Sequence, residues 1–370
     1  MKDATKVTRA GLPPPKQGEP FAPGPTFAAP YHAAGDPSVV PNTYGRFHNP
    51  TWNAFEHALA DLEGGEAVVF GSGMAAVAAV FGAVLRPNEV VVLPSDSYYT
   101  TRNLAGGYFT QMGVQVRRAP TVNDSQLAHL DGAKLLWIES PSNPLLDVCD
   151  IRRMVAAAHE KGVLVAVDNT TSTILSQRPL DLGADFSVAS DTKALTGHSD
   201  LLMGHVAGRD AALMTQVRTW RTQIGAIPGP MEVWLAHRSL ATLHVRFERQ
   251  CSNALHIARF LAARHEVSGL RYPGLATDPA HEIASRQMRY FGSIISFVLA
   301  DRDQAERFLS ACELVYEATS FGSVHTTAER RARWGGDAIP DGFIRLSVGC
   351  EDADDLIADI GQALDKLRGE

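Results

Sequence analysis

The sequence predicts an α/β fold, in which a large domain with a mainly parallel sheet precedes a smaller α+β domain. Short apolar segments alternate with helical segments between about residues 67 and 190, as the βα units of a parallel sheet do. From about Met231 the pattern changes to long amphipathic helices followed by strand candidates. The first 50 residues hold ten of the 21 prolines and show little apolar periodicity.

We therefore predict three segments. Residues 1–50 form an extended arm laid over another surface, because a proline-rich stretch without apolar periodicity cannot build a core. Residues 51–230 form the large domain, and residues 231–370 form the smaller α+β domain. A chain of 370 residues is long enough for one large domain and a smaller one.

The elements follow from local patterns. A first helix is predicted after the NPT segment at residues 49–51, because apolar residues recur at helical spacing from Trp52 to Leu62 and Gly64 would end the helix. The large domain continues with strand AVVF, helix MAAVAAVFGAVL, strand VVVL, a helical stretch near residues 100–112, strands VQVRR and KLLWIE, helix DIRRMVAAAHEKG, and strands VLVAV and DFSVAS. The smaller domain has helices through WLAHRSLATLHVRFERQCSNALHIARFLAARH, strands SIISFVLA, LVYEAT and GFIRLSVG, and a last helix DADDLIADIGQALDKL.

Composition narrows the class of protein. The chain is 45% hydrophobic and 20% charged with a net charge of −7, so it is typical of a globular enzyme and a poor candidate for nucleic-acid or membrane-surface binding. The N-terminus lacks the apolar core of a signal peptide. An uncharged run at residues 67–85 is interrupted by two glycines, which favours a buried strand, a turn and a buried helix over a membrane span.

The four cysteines are far apart and form no CxxC pair. We therefore expect no metal site and no redox motif, and we expect reduced thiols in a cytoplasmic protein.

Three predicted strand ends carry polar side chains at intervals of 25 residues: Asn143, Asp168 and Lys193. In a doubly wound sheet, such residues gather in a crevice at the carboxyl ends of the strands, where ligands bind. An aspartate suits a pyridinium nitrogen, a lysine suits an aldehyde and an asparagine suits a phenolic oxygen. Pyridoxal phosphate carries these three groups, so the strand ends predict a site for this cofactor.

Lys193 is the candidate for covalent and basic chemistry, because a lysine amine can form a Schiff base with an aldehyde and act as a base when released. The hydroxyls of Ser190 and Thr192, just before it, can bind phosphate. Asp168 ends an apolar strand, where a carboxylate without a partner is costly. The alternatives are a solvated surface lysine and an aspartate that caps the next turn.

The GSGM segment at residues 71–74 lies between a predicted strand and a predicted helix, so its backbone N–H groups could hold a phosphate. GSGMAA also matches the G-x-G-x-x-A pattern of dinucleotide-binding folds, with Asp96 where a ribose-binding acid is expected. This alternative, an NAD(P)-dependent oxidoreductase, gives Asn143, Asp168 and Lys193 no role. We therefore favour pyridoxal phosphate.

Two further positions suit a cofactor and a substrate. Tyr98 and Tyr99 follow a predicted strand, where an aromatic ring can stack on a flat cofactor and a tyrosine hydroxyl can relay protons. The spacing does not show which of the two tyrosines has this role, and packing in the core is the alternative. Arg345, inside the strand pattern GFIRLSVG, could clamp the carboxylate of an amino-acid substrate or form a structural ion pair.

These residues lie in motifs that are similar to those of the cystathionine-metabolising family of pyridoxal-phosphate enzymes, which includes cystathionine γ-lyase, γ-synthase and β-lyase and methionine γ-lyase. The resemblance runs from about Tyr44 to the C-terminus. It is carried by YGRFHNPT, LEGGEAVVFGSGMAAV, LLWIESPSNPLLDV, VAVDNT, QRPLDLGADFSVASDTKALTGHSD, RYPGL and IRLSVGCEDADDLIADI. It implies a fold-type I pyridoxal-phosphate enzyme with a sulfur amino acid as its small-molecule substrate.

The resemblance also implies roles for single residues. Cofactor binding is implied for Lys193, Asp168, Asn143, Gly73, Met74, Ser190, Thr192, Tyr98 and Arg46, catalysis for Lys193, Tyr98 and Tyr44, and substrate binding for Arg345, Ser320 and Asn143. Tyr98, not Tyr99, matches the stacking tyrosine. Tyr44 and Arg46 match a Y-x-R motif that reaches into a neighbouring subunit's site, so a homo-oligomer is implied, with family members usually homotetramers built from tight dimers.

The sequence departs from the family pattern where the far end of the substrate is read. Tyr99-Thr100-Thr101 replaces two glycines and a threonine, and His325 stands where a glutamate is common. The segment between Ser320 and Arg345 is several residues shorter than usual. We expect these changes to affect substrate specificity.

The resemblance favours cystathionine γ-lyase activity, which converts L-cystathionine to L-cysteine, 2-oxobutyrate and ammonia. γ-Replacement of the cystathionine γ-synthase type is the first alternative, and β-elimination is the second. The dinucleotide-dependent oxidoreductase and a non-catalytic cofactor-binding protein are the alternatives from other classes.

Overall fold

The computed structural model describes residues 1–368, and its larger sheet has seven strands. These are β1 (Glu66–Phe70), β2 (Val90–Pro94), β3 (Gln115–Ala119), β4 (Ala133–Glu139), β5 (Leu164–Asp168), β6 (Phe186–Ala189) and β7 (Gly204–Gly208). Their spatial order is β1-β7-β6-β5-β4-β2-β3. Of the seven, β7 alone runs antiparallel to its neighbours, so the carboxyl ends of the other six lie at one edge of the sheet. The prediction of a mainly parallel sheet is confirmed.

The second sheet has five strands in the order β10-β11-β12-β9-β8. They are β8 (Ser268–Arg271), β9 (Ile294–Val298), β10 (Tyr316–Glu317), β11 (Thr327–Arg330) and β12 (Phe343–Ser347). β10 and β11 are parallel, and the other pairs are antiparallel. On β12, Arg345 lies opposite Glu329 of β11 and Ser296 of β9, which fixes the neighbours of this buried cation.

Helices cover the sheets. They are α1 (Asp3–Arg9), α2 (Pro50–Glu63), α3 (Gly73–Val84), α4 (Tyr99–Leu104), α5 (Ile151–His159), α6 (Thr173–Ser176), α7 (Ala211–Ile224), α8 (Pro230–Leu240), α9 (Leu243–Ala262), α10 (His281–Gln287), α11 (Arg302–Ala311) and α12 (Ala353–Asp365). Residues 105–109 continue α4 as a π-helix. On one face of the large sheet, Phe81 of α3 and Val217 of α7 pack around Trp137 of β4, while Met154 of α5 packs beside Val165 on the other face. The sheet is therefore buried between two helical layers.

The predicted first helix illustrates how local signals set the element bounds. Asn49 Oδ1 accepts a hydrogen bond from the Thr51 N–H at 2.9 Å, and Pro50 takes the first helical position. Gly64 ends the helix with a φ of 77°, a left-handed conformation that glycine adopts without strain. This prediction is confirmed.

The N-terminal segment begins with a helix that the sequence analysis did not predict. Val7 of α1 is buried, and Asp3 forms ion pairs with Arg178 at 2.6 Å and Arg289 at 2.8 Å. These long-range contacts stabilise a seven-residue helix that would not form alone. The three-segment division with borders at residues 50 and 230 stays a prediction.

The uncharged run at residues 67–85 folds as β1, a turn and α3, as predicted. Within residues 1–368, we find no helix that is both long and apolar enough to cross a membrane.

A buried charge cluster joins β7 to the loop after β6. His205 of β7 lies between two carboxylates, with Nδ1 2.6 Å from Asp191 Oδ1 and Nε2 3.1 Å from Glu63 Oε1. Burial alone would lower the pKa of His205, but Asp191 and Glu63 outweigh it and raise that pKa to about 10. His205 is therefore charged at neutral pH and holds two buried carboxylates together.

Because its folded pKa is raised above the unfolded value near 6.5, His205 stabilises the fold fully below that pH and less as the pH rises towards 10. We expect His205→Gln to lower the free energy of unfolding by about 3–5 kcal/mol at pH 6, since two carboxylates lose a buried cation. The deficit should shrink as the pH rises to 10. Thermal unfolding from pH 6 to 10 measures this, with His256→Gln as an exposed control. A deficit that does not vary with pH would show that His205 is uncharged in the fold.

Candidate active site

A cavity of about 380 Å³ lies at the carboxyl edge of the large sheet, where the second domain packs against it. Ten of the twelve residues that the sequence analysis singled out line it: Gly73, Met74, Tyr98, Asn143, Asp168, Ser190, Thr192, Lys193, Ser320 and Arg345. Tyr44 and Arg46 do not. The three strand-end residues Asn143, Asp168 and Lys193 thus line one cavity, together with Gly73 and Arg345, which are 272 positions apart.

Two carboxylates form one wall of the cavity. Asp168 and Glu139 end the neighbouring strands β5 and β4 and lie opposite each other in register. Asp168 Oδ1 accepts a hydrogen bond from the Thr170 N–H at 3.0 Å, and burial raises the pKa of Asp168. Glu139 accepts from the N–H groups of Tyr98 and Asn143 at 2.7 and 2.9 Å, and burial, reinforced by Asp168, raises the pKa of Glu139 well above its usual value. Glu139 therefore orders the backbone of two cavity residues.

Glu139 was missed in the sequence analysis. It ends the KLLWIE strand in the same way that Asp168 ends its own strand, so the strand-end signal was present.

Lys193 projects from the loop after β6. Its Nζ donates a hydrogen bond to Ser320 Oγ at 2.6 Å and lies 5.0 Å from the centre of the Phe321 ring. Burial, followed by the charge of Arg345, lowers the pKa of Lys193 to about 8. A lysine with this pKa exchanges its proton near neutral pH, as a catalytic base requires.

Ser320, which receives this hydrogen bond, has a φ of 77°, an unusual conformation for a residue other than glycine. The conformation points its Oγ at Lys193 while its carbonyl oxygen accepts from Arg345 Nη2 at 2.9 Å. Strained backbone of this kind is characteristic of functional sites. Ser320 thus links the two basic residues of the cavity.

The N-terminus of α3 forms the opposite end of the cavity. Ser72 Oγ accepts from the Ala75 N–H at 3.1 Å and caps the helix. A Cβ atom on Gly73 would come within 2.5 Å of the Ser190 Cβ, so only glycine allows this close approach. Gly73, Met74, Ser190 and Thr192 therefore form one compact corner, with the N–H groups of a helix N-terminus nearby.

Arg345 is buried and donates three hydrogen bonds. It donates to Asn143 Oδ1 at 2.7 Å, to the Ser320 carbonyl and to Glu329 Oε1. Burial lowers the pKa of Arg345 to about 10, against the opposing effect of Glu329. Arg345 therefore forms the ion pair that was one of its two sequence-based interpretations, and it also lines the cavity. The carboxylate clamp stays a prediction.

Two cavity residues, Arg331 and Trp334, were not predicted. They lie beside Tyr99, which the sequence analysis had named, and belong to a short 3₁₀ helix (Arg331–Trp334) in the segment that is shorter than in the family pattern. The Arg331 guanidinium lies 5.4 Å from the Tyr99 ring centre, and Trp334 Nε1 donates to Glu329 Oε2 at 2.7 Å. The departures from the family pattern indicated that this segment is unusual, but they did not show which of its residues line the cavity.

Four positions lie outside the cavity lining. Tyr44 is 43% exposed, and Arg46 Nη1 donates to the Thr222 carbonyl at 2.9 Å. His325 is exposed. Asp96 accepts two hydrogen bonds from Thr121, which gives it a structural role in a turn and removes the ribose-binding acid that the dinucleotide alternative required.

Glu329 holds Arg345 and Trp334 and is 1% exposed. We expect Glu329→Gln to lower the free energy of unfolding by on the order of 3 kcal/mol, because it leaves buried Arg345 without its counter-charge. Glu317→Gln is a matched control: Glu317, on neighbouring strand β10, is 44% exposed and pairs with Arg333, so a change below about 1 kcal/mol is expected. Denaturant unfolding of both variants measures the difference. Equal losses would contradict the central role of Glu329.

Comparison with known proteins gives relatives along almost the whole chain. It is 59% identical over 369 residues to "Putative cystathionine gamma-lyase" of Streptomyces coelicolor, covering 98% of this chain and 94% of that protein. It is 38% identical over 384 residues to a cystathionine beta-lyase of Coxiella burnetii, with 97% of each chain covered. The crystal structure of cystathionine gamma synthase from Xanthomonas oryzae pv. oryzae in complex with cystathionine superposes with a TM-score of 0.95 at 33% identity, over 100% of this chain and 99% of that one.

Residues 20–365 match the family model described as Cys/Met metabolism PLP-dependent enzyme. The relatives carry three different activities in their names, so they do not single out one activity, whereas the family model names the cofactor. The chain belongs to the pyridoxal-phosphate-dependent enzymes of cysteine and methionine metabolism.

Proposed function

We propose that the protein is a cystathionine γ-lyase, which cleaves L-cystathionine to L-cysteine, 2-oxobutyrate and ammonia. The observation that carries the proposal is the buried amine of Lys193, whose pKa is lowered to about 8, in a cavity that also contains Asp168 and Arg345. The 59% identity to the Streptomyces coelicolor protein supports this activity over its alternatives.

The cavity residues fit pyridoxal phosphate. The close approach of Gly73 to Ser190 leaves a corner beside the α3 N-terminus, which suits a phosphate held by Gly73, Met74, Ser190 and Thr192. Asp168 is buried and, within residues 1–368, has no basic group within ion-pair distance, so its carboxylate suits a pyridinium nitrogen. Tyr98 would stack on the ring and Asn143 would lie near the phenolic oxygen.

When bound, the cofactor supplies an aldehyde that condenses with amines and a pyridine ring that withdraws electrons from the substrate. Lys193 Nζ, placed by Ser320, would remove the proton from the substrate Cα, give that proton up to the bound cofactor, and then, again as a free amine, remove one from Cβ. Arg345 holds the substrate carboxylate. Tyr98 or Tyr44 donates a proton to the sulfur that leaves from Cγ.

Tyr44 and Arg46 complete the site of a neighbouring subunit, with Arg46 on the phosphate, so the enzyme acts as a homo-oligomer, a tetramer built from dimers. The exposure of Tyr44 and its position outside the cavity of its own chain are consistent with this role. We propose a cytoplasmic location, which is supported by relatives that are enzymes of cysteine and methionine metabolism.

The direct test is to incubate the purified enzyme with L-cystathionine and identify both products. We expect cysteine and 2-oxobutyrate. Homocysteine and pyruvate would establish β-elimination instead, and the absence of turnover would favour γ-replacement, which would be tested by supplying an activated homoserine together with cysteine.

The same assay tests the role of Lys193. Lys193→Ala should reduce kcat by at least about 10³-fold, because the group that moves both protons is removed. Lys161→Ala changes a lysine that is 44% exposed and pairs with Asp131, and it should leave kcat unchanged. Turnover of Lys193→Ala at the wild-type rate would refute the mechanism.

A second variant tests the phosphate corner. Gly73→Ala should weaken pyridoxal-phosphate binding at least about tenfold, because the new methyl group meets the Ser190 side chain. Gly107→Ala is the control, since its methyl group would meet no atom within 4 Å. Titration of the cofactor-free proteins with pyridoxal phosphate measures both affinities. Equal affinities in the two variants would place the phosphate elsewhere.

A further inference from the structure

Arg331 has a position that its structural contacts do not explain. It lines the cavity and is 4% exposed. Its Nε lies 3.0 Å from Asp337 Oδ2 and its Nη1 lies 3.4 Å from Glu329 Oε1. Its Nη2 is buried and has no hydrogen-bond partner within residues 1–368. A buried guanidinium N–H without a partner is costly, and a bound acceptor would remove that cost.

The two carboxylates beside Arg331 are shared with other arginines. Asp337 also pairs with Arg102, and Glu329 also pairs with Arg345. Glu329 also pairs with Arg333, whose other partner is Glu317. The four arginines and three carboxylates of this cluster together carry one net positive charge. An α-carboxylate on Arg345 would balance that charge, and the unpaired Nη2 of Arg331 remains as a hydrogen-bond donor for a second anion.

The surroundings of Arg331 favour the far end of a substrate. Tyr99 and Trp334 lie beside it and offer apolar surface for a methylene chain. Lys193 and Arg345, which would hold the reacting amino-acid end, are joined through Ser320. Arg345 and Arg331 share Glu329 Oε1, so the two guanidinium groups are neighbours and one substrate can reach both. The charge of Arg331 contributes to the lowered pKa of Lys193, so the guanidinium is within electrostatic reach of the amine.

We propose that Arg331 is a specificity-determining residue that binds a carboxylate at the far end of the substrate. The site then selects amino acids with an acidic group at each end over amino acids with an apolar side chain. This inference rests on the proposed function, because that function places the amino-acid end at Lys193 and Arg345. L-Cystathionine, which carries a second carboxylate beyond its sulfur, meets the requirement.

The test compares two unreactive ligands of equal chain length, L-2-aminoadipate and L-norleucine, which differ by a terminal carboxylate in place of a methyl group. Calorimetric titration of the holoenzyme should show at least about tenfold tighter binding of L-2-aminoadipate, as a charge-assisted hydrogen bond provides. Arg331→Met should reduce this preference below about threefold and leave the affinity for L-norleucine unchanged. Arg331→Lys, which keeps the charge, should retain part of it.

Arg333→Met is the matched control. Arg333 belongs to the same short helix, pairs with Glu317, and does not line the cavity, so this variant should keep the full preference. Equal weakening of both ligands by Arg331→Met would assign Arg331 a structural role and overturn the inference. A wild-type enzyme that binds L-2-aminoadipate no more tightly than L-norleucine would also overturn the inference. If Arg331→Met does not fold, a reduced preference in Arg331→Lys with L-norleucine binding intact supports the inference, and an unchanged preference there overturns it.

The outcomes also separate this inference from the proposed function. A wild-type enzyme that forms no 2-oxobutyrate from L-cystathionine, yet prefers L-2-aminoadipate through Arg331, refutes the proposed function and supports the inference. An enzyme that forms 2-oxobutyrate while Arg331→Met keeps the preference refutes the inference and supports the proposed function.

Discussion

The cost of burying charged side chains at the carboxyl edge of the large sheet is the constraint on which the rest of the structure depends. An unpaired ion in a protein interior costs several kcal/mol, so each buried charge must find a partner. Asp168 receives a backbone N–H, and Glu139 receives two. These bonds fix the loops that follow β2, β4 and β5. The carboxylates thus shape the site before any ligand binds, because they determine where Tyr98 and Asn143 can lie.

The same constraint joins the two domains. Arg345 lies on a strand of the smaller sheet, yet one of its hydrogen bonds goes to Asn143 in the loop after β4. Ser320 of the smaller domain receives the bond from Lys193. Gly322, two residues later, packs so closely that a Cβ atom there would come within 2.5 Å of the Ala194 backbone nitrogen. Because both halves of the site depend on these contacts, a shift of one domain would separate the base from the proposed carboxylate clamp.

The sequence analysis predicted six of the seven strands of the large sheet and the polar residues that follow them, but it missed helix α7 and strands β8 and β11. β7 was not predicted, because GHVAG has two glycines and no polar–apolar alternation. In the structure all five residues are buried, and antiparallel pairing with β1 and β6 stabilises the strand. Helix α1 was not predicted, because its stability comes from the ion pairs of Asp3 with Arg178 and Arg289, which are far away in the sequence. Arg331 and Trp334 were not predicted as cavity residues, because their segment has an unusual length and no periodicity. Their position in the cavity therefore became known only from the three-dimensional structure.

The positive cluster and the catalytic amine are coupled electrostatically. Burial and the charge of Arg345 lower the pKa of Lys193, Arg331 adds to the effect, and Glu329 opposes it. On the proposed binding mode, a substrate with two carboxylates neutralises both arginines, and the pKa of the amine then rises. Lys193 therefore becomes a stronger base when both ends of the substrate are bound. A substrate with one carboxylate neutralises Arg345 alone, so the pKa of Lys193 rises less. Recognition of the far end would then contribute to proton transfer at Cα as well as to affinity, because both act through the same buried charges.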